Sequence, residues 1–170
     1  MTERRLTLLI GGARSGKSRH AEDMVRRYPG PWTYIATAQA YDEEMRERIA
    51  LHRTQRGEGW HTVDAPLDLA GALGAVPDGR PVLVDCLTLW LSNHLLAGHD
   101  VAAECTLLAQ SLSRPRGPWF VVSNEVGQGI VPDNALARRF RDDAGRLNQQ
   151  VAAVADCVIL MVAGLPLKVK

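Results

Sequence analysis

The chain has 170 residues, enough for one domain with a substantial core and too few for two of ordinary size. Its hydrophobic content of 46% and charged content of 23% suit a globular protein, and a net charge of +1 removes any broad electrostatic case for nucleic acid or an acidic membrane. Affinity for anions therefore has to be local.

Residues 6–10, Leu-Thr-Leu-Leu-Ile, predict a first strand. Gly11-Gly12-Ala13-Arg14-Ser15-Gly16-Lys17-Ser18 follows and fits the G-x-x-x-x-G-K-[ST] phosphate loop without a mismatch. Its glycines let the backbone approach a polyphosphate, so that successive N–H groups form an anion nest at the start of a helix. Lys17 brings a point charge to the β- and γ-phosphates, and the Ser18 hydroxyl suits the coordination shell of Mg²⁺. A glycine turn that merely joins strand to helix would not need the full match.

Residues 18–28 predict a helix with Ala21, Met24 and Val25 inward, stopped by Pro29-Gly30-Pro31, and residues 33–37 a second strand. The charged stretch 42–56 reads as a helix with Asp42, Glu43 and Glu44 at its N-terminus. Met45, Ile49 and His52 share its inward face, where a histidine is either a partly buried structural residue or a chemical group. Residues 60–64 form a short extended piece and 66–76 a helix.

After the turn at 77–81, Val82-Leu83-Val84-Asp85 is an apolar strand ending in an acid. Asp85 is then a magnesium-ordering carboxylate, a helix N-cap or a surface acid. Helices follow at 87–96 and 101–112, and then a strand at 119–123. Residues 124–134 make a polar loop with two glycines, a binding segment or a plain connector. Leu136, Phe140, Ala144, Leu147, Val151 and Val154 form the inward stripe of a long helix whose charges, Arg138 to Asp143, are a solvated face or a subunit contact. A strand at 157–162 precedes a last short one at 165–169, which Pro166 confines to an edge.

Strands alternating with helices predict an α/β fold with a mostly parallel central sheet covered on both faces. With the phosphate loop this is the three-layer, RecA-like P-loop NTPase architecture, in one catalytic domain spanning 1–170. Ligands in such sheets bind beyond the carboxyl ends of strands, where the phosphate loop, Thr37, Asp85 and the loop 124–134 all fall. Cys86, Cys105 and Cys157 read as reduced core thiols, and no compact Cys/His set for zinc is evident. No stretch approaches a membrane span, and the first apolar run is too short for a secretory signal, so a cytoplasmic protein is expected. A switch GTPase is disfavoured for want of an Asn-Lys-x-Asp motif, and a dinucleotide dehydrogenase by the glycine spacing.

Beyond the phosphate loop and Arg19, the chain carries Tyr34-Ile35-Ala36-Thr37-Ala38, Arg48-Ile49 with His52-Arg53, and Asn124-Glu125-Val126-Gly127 with Gly129-Ile130-Val131-Pro132. Phe140-Arg141-Asp142, Ala144-Gly145-Arg146-Leu147-Asn148-Gln149 and the final Val169-Lys170 follow. This ordered set resembles the bifunctional adenosylcobinamide kinase / adenosylcobinamide-phosphate guanylyltransferase family of cobalamin biosynthesis, over nearly the whole chain.

The resemblance implies two reactions: phosphorylation of the adenosylcobinamide hydroxyl by ATP or GTP, then transfer of GMP from GTP to that phosphate with release of pyrophosphate. It implies His52 as the residue that carries GMP, with Leu51 before it where some relatives have another histidine. Nucleotide contacts are implied at Gly11 to Ser18, at Ala36, Thr37 and Ala38, at Arg53, Thr54, Gln55 and Arg56, and at Asp64 and Asp85. Lys17 is implied as catalytic, and Ser18 with Asp85 as the Mg²⁺ site. A corrinoid is large for a chain of this size, so a homo-oligomer is expected, a trimer on resemblance alone. The rival readings are a kinase that forms no guanylyl intermediate, in which His52 is structural, and a nucleotide-dependent switch or assembly ATPase.

Overall fold

The structure is a computed structural model that describes residues 3–170, with the side chains at positions 48, 52, 53 and 55 outside the description. Its strands are β1 (Arg5–Gly11), β2 (Trp32–Ala36), β3 (Trp60–Asp64), β4 (Val82–Asp85), β5 (Pro118–Asn124), β6 (Cys157–Val162) and β7 (Leu165–Lys168). They form one sheet in the order β3-β2-β4-β5-β1-β6-β7, parallel throughout except for the antiparallel β6–β7 pair at one edge. The helices are α1 (Lys17–Val25), α2 (Glu43–Arg56), α3 (Leu69–Ala75), α4 (Leu87–Leu96), α5 (Val101–Leu112) and α6 (Ala135–Val154).

The central strands are apolar at nearly every position because both faces are covered. Leu8, Ile35, Val84, Val121 and Val158 point to one side and pack with α3, α4, α5 and α6. Their neighbours Leu9, Tyr34, Leu83, Phe120, Val122 and Ile159 point to the other and meet Ala21 and Val25 of α1. That two-residue alternation builds the three layers. Cys86, Cys105 and Cys157 are free and buried, as expected.

Several elements differ from the sequence reading for local reasons. The first helix closes at Val25, because Arg27 and Tyr28 donate to the carbonyls of Met24 and Val25 and tighten the end. The third begins at Leu69 rather than residue 66, because the Asp68 side chain accepts from the Gly71 N–H and caps it there. The extended piece 60–64 is a full edge strand, paired along its length with β2. Leu136, expected in the inward stripe of α6, is exposed, whereas Ala144, Leu147 and Val151 are buried. Arg139 and Arg146 pair with Asp143 and Arg141 with Asp142, while Arg138 donates to the Pro132 and Asp133 carbonyls.

Helix α4 ends on Gly98 at φ 73°, with the Gly98 N–H on the Leu95 carbonyl and the His99 N–H on the His94 carbonyl. This is a Schellman ending. It folds His99 back onto His94, and with Glu104 the pair makes a compact group of potential metal ligands that the sequence reading did not find. The chain order separates the three residues, but the turn closes them together.

Candidate active site

The phosphate loop crosses the carboxyl end of β1 and enters α1 through Gly16 at φ 89°, just after Arg14 at φ 55°. Alternating ordinary and positive φ values turn successive N–H groups to one side, which makes the loop an anion nest. No side chain caps α1 and no acid lies in its first turn, so its leading amides and positive dipole end remain for a phosphate. Ser15 is buried with its hydroxyl unpartnered, another donor in the same loop.

A neighbouring hairpin braces the loop. Ala163 and Gly164 have φ values of 50° and 80°, as a two-residue turn between β6 and β7 requires. The Gly164 N–H donates to the Ser15 carbonyl at 3.0 Å, and the Gly164 Cα lies 3.3 Å from where a Cβ on Gly16 would stand. Gly11 is enclosed by Ser15 and Met161, while Gly12 faces open space.

Lys17 is buried, and its ammonium donates to the Gly12 carbonyl at 2.8 Å. Burial pushes its pKa below the ordinary lysine value, and the nearby Asp85 carboxylate opposes that shift. Ser18 is half-buried at the start of α1. Asp85 ends β4 and accepts from the Tyr34 hydroxyl at 3.1 Å. Ser18 and Asp85 offer hard oxygen donors beside the nest, a donor set that suits Mg²⁺.

Tyr34 links this carboxylate to α2. The Arg56 guanidinium stacks 3.6 Å from the centre of the Tyr34 ring, and the Arg56 carbonyl accepts from Arg26 at 3.0 Å. The last residue of α2 is therefore buried against Tyr34, not turned outward like the exposed Thr54, whose hydroxyl bonds the Ala50 carbonyl within the helix. Position 52 lies one turn earlier on α2. The His52, Arg53 and Gln55 side chains lie outside the described residues. Asp64 ends β3 in register with Ala36 of β2, which lies between it and Asp85. Ala36 is buried and its carbonyl accepts from the Ala65 N–H; Ala38 is half-buried, and Ala13 and Arg14 are exposed.

Thr37 is fully buried. Its hydroxyl donates to the Cys86 carbonyl at 2.7 Å and accepts from the Cys86 N–H at 2.8 Å, its N–H donates to the Asp85 carbonyl, and its carbonyl accepts from Asn93. It clamps the backbone around Asp85. Asn93, which the sequence reading passed over, donates to both the Thr37 and Pro66 carbonyls and accepts from the Tyr41 hydroxyl. Its signal was an amide inside the apolar run 87–96, since a buried amide has to be satisfied.

The start of the loop 125–134 is held in a similar way. Asn148 accepts from Ser123 and donates to the Asn124 carbonyl, and Thr88 accepts from the Asn124 N–H. Glu125 accepts from the Gly127 N–H, so it caps the following backbone. Glu22, on α1, is a carboxyl the sequence reading missed, held above its usual pKa by burial against the pull of Arg26 and Arg56.

A phosphate loop, a strand-end carboxylate and a mostly parallel sheet define a P-loop nucleotide-binding protein. Solved structures agree on the fold. The Pyrococcus horikoshii OT3 protein PH0250 superposes with a TM-score of 0.57 at 11% identity, over all of this chain and 88% of that one. A prototypical ATPase from a type III secretion system superposes at 0.55 and 12% identity, over 96% of this chain and 56% of that one.

Sequence comparison narrows the class. The chain belongs to the cobinamide kinase / cobinamide phosphate guanyltransferase family, whose profile matches residues 7–169. It is 46% identical to the bifunctional adenosylcobalamin biosynthesis protein CobP of Pseudomonas aeruginosa, over 96% of each chain. It is 41% identical to the corresponding proteins CobU of Salmonella typhimurium and of Escherichia coli, each over 97% of this chain and 99% of the relative. Among the described residues no helix is long and apolar enough to cross a membrane.

Proposed function

We propose that this chain phosphorylates adenosylcobinamide with ATP or GTP and then transfers GMP from GTP to the product phosphate through a guanylyl-His52 intermediate. The observation that carries the reading is the anchor of α2. Arg56 stacks on Tyr34, whose hydroxyl holds Asp85, so the helix bearing position 52 is tied to the phosphate-loop edge of the sheet.

In the kinase step the loop amides and Lys17 hold the β- and γ-phosphates while the substrate hydroxyl attacks the γ-phosphorus and gives its proton to solvent; the β–γ bridge breaks and the nucleoside diphosphate leaves. In the transfer, a neutral His52 nitrogen attacks the α-phosphorus of GTP. The bond to the bridging oxygen breaks and pyrophosphate leaves, its charge stabilised by Lys17 and the loop amides. A phosphate oxygen of adenosylcobinamide phosphate then attacks the same phosphorus, and the P–N bond breaks to restore His52. Ser18 and Asp85 would hold Mg²⁺, which when bound neutralises phosphate charge.

Thr54 and Asp64 remain candidate nucleotide contacts, while Thr37 and Arg56 position Asp85 and α2. Exposed Ile130, Val131 and Leu136 supply an apolar surface suited to a corrinoid, and exposed Leu165 and Leu167 on the edge strand β7 support a homo-oligomer. The reading places the reaction in the cytoplasm, with small molecules rather than nucleic acid as partners.

The test is incorporation of label from GTP labelled at the α-phosphate into native chain and His52→Asn after denaturation. Acid-labile, base-stable label on the native chain alone is expected. No label, with GTP binding intact, would return His52 to a structural role and leave a kinase without guanylyl transfer.

A further inference from the structure

Apart from the phosphate-loop edge, a cavity of about 320 Å³ opens beyond β3 among α3, α4 and α5. Leu67, Trp90 and Leu108 wall it, and His94, His99 and Glu104 reach into it. The nucleotide chemistry uses none of these three residues. Each offers one ligand atom, and the three atoms lie within 4.8 Å of one another.

The hydrogen bonds fix which atoms those are. His94 is almost fully buried, its ring against the Trp90 ring with centroids 4.5 Å apart. Its Nε2 lies 3.1 Å from the Leu67 carbonyl, which can only accept, so Nε2 carries the proton and Nδ1 presents a lone pair. A carbonyl behind a histidine is the arrangement that orients metal-binding imidazoles. The His94 Nδ1 faces the His99 Nδ1 at 2.9 Å. Two imidazoles in that relation either share one proton or both turn lone pairs to a cation.

We propose that His94 Nδ1, His99 Nδ1 and a Glu104 carboxylate oxygen form a binding site for a divalent transition ion of the zinc type. Two imidazoles and a carboxylate are a recurrent zinc donor set, with bonds of about 2.0–2.2 Å. Tetrahedral geometry then separates the two nitrogens by about 3.3 Å, so binding widens the observed gap by roughly 0.4 Å. His99 is exposed and follows Gly98, so its ring is free to adjust. It supplies its lone pair by carrying its proton on Nε2, toward water. The fourth position opens on the cavity for a water molecule. Such an ion joins the end of α4 to the first turn of α5.

The experiment is equilibrium binding of Zn²⁺ to the full-length, nucleotide-free chain, with Co²⁺ as the spectroscopic probe. Native protein is expected to bind one zinc per chain at micromolar or lower concentration and to melt at a higher temperature with it. The Co²⁺ form should show the visible bands of a four-coordinate nitrogen–oxygen site without a thiolate charge-transfer band. His99→Ala and Glu104→Gln, which alter exposed or half-exposed side chains, should each weaken zinc by at least about tenfold. Both should lose the cobalt bands and keep kinase activity. Zinc that fails to bind the native chain, or that binds both variants as tightly, would overturn the proposal.

Discussion

Gly11 and Gly12 are adjacent in the phosphate loop, yet the structure assigns them opposite liabilities. A Cβ on Gly11 would meet the Ser15 hydroxyl, the Met161 carbonyl at 2.9 Å and the Met161 Cβ at 3.1 Å. The carbonyl belongs to β6, which is paired in register with β1, so relief requires the sheet itself to shift. Overpacking of this kind costs about 1–3 kcal/mol. At roughly 2–4 °C per kcal/mol for a domain of this size, Gly11→Ala should lower Tm by about 2–12 °C. A Cβ on Gly12 meets nothing within 4 Å and needs no positive φ, so Gly12→Ala should melt with the native protein. Its methyl would project from the phosphate nest, so nucleotide affinity should fall. Calorimetry with and without GTP reads both effects, since bound ligand raises Tm by an amount that grows with the logarithm of the ratio of ligand concentration to Kd. Native-like melting of Gly11→Ala beside a destabilised Gly12→Ala would refute the packing account of this loop.

Asn93→Ala strands the buried Thr37 carbonyl and the half-buried Pro66 carbonyl, and at about 1–3 kcal/mol for an unsatisfied buried group it should lower Tm by several degrees; an unchanged melt would deny Asn93 its bridging role. Its looser hold on Thr37 should also raise the magnesium–nucleotide KM. Burial lowers the Lys17 pKa from about 10.5, so the folded chain sheds this proton before the unfolded chain does and gains stability as pH rises toward 10.5. Native protein should therefore gain on Lys17→Met in nucleotide-free melts as pH climbs through that window, and a constant difference would contradict it. Burial lifts the Cys86 and Cys105 thiols to about 11, so at pH 8 only about one in a thousand is thiolate. Alkylation should wait for denaturant, and rapid labelling of the native chain would show that these thiols are not buried.

The fold was legible because it rests on patterns that need only neighbours in sequence. The aliphatic runs of β1, β4, β5 and β6 and the eight-residue glycine loop carried the layers and the phosphate site, and Pro166 put β7 at the edge. What escaped was tertiary. Trp60-His61-Thr62-Val63-Asp64 reads as marginal alone and becomes a strand because β2 offers a free edge. Thr37 looked like a ligand because it ends a strand; only the fold shows its polar groups spent on Cys86, Asp85 and Asn93. Arg56 was expected only as a nucleotide contact by resemblance; that its guanidinium stacks on Tyr34, 22 positions earlier, depends on the fold. His94 and His99 went unnoticed as a pair because their approach depends on a glycine-terminated helix end, not on a helical repeat.

Helix α2 is held differently from the others, and the two-reaction reading needs that difference. The long helix α6 buries Ala144, Leu147, Asn148 and Val151 along one face, whereas among the described side chains of α2 only Arg56 is buried. Short helices draw most of their stability from tertiary packing, so α2 depends on its two ends. At one end Asp42 accepts from the Met45 N–H; at the other Arg56 stacks on Tyr34, a contact worth about 0.5–2 kcal/mol. A helix fixed along its length against the sheet would have to fill the space over the phosphate loop with apolar side chains. On the proposed function, a helix fixed by its last turn leaves room for a nucleotide beside position 52. On that same proposal, the polar sequence of α2 suits a helix that presents a nucleophile at its solvent-facing, nucleotide side rather than one packed into the core.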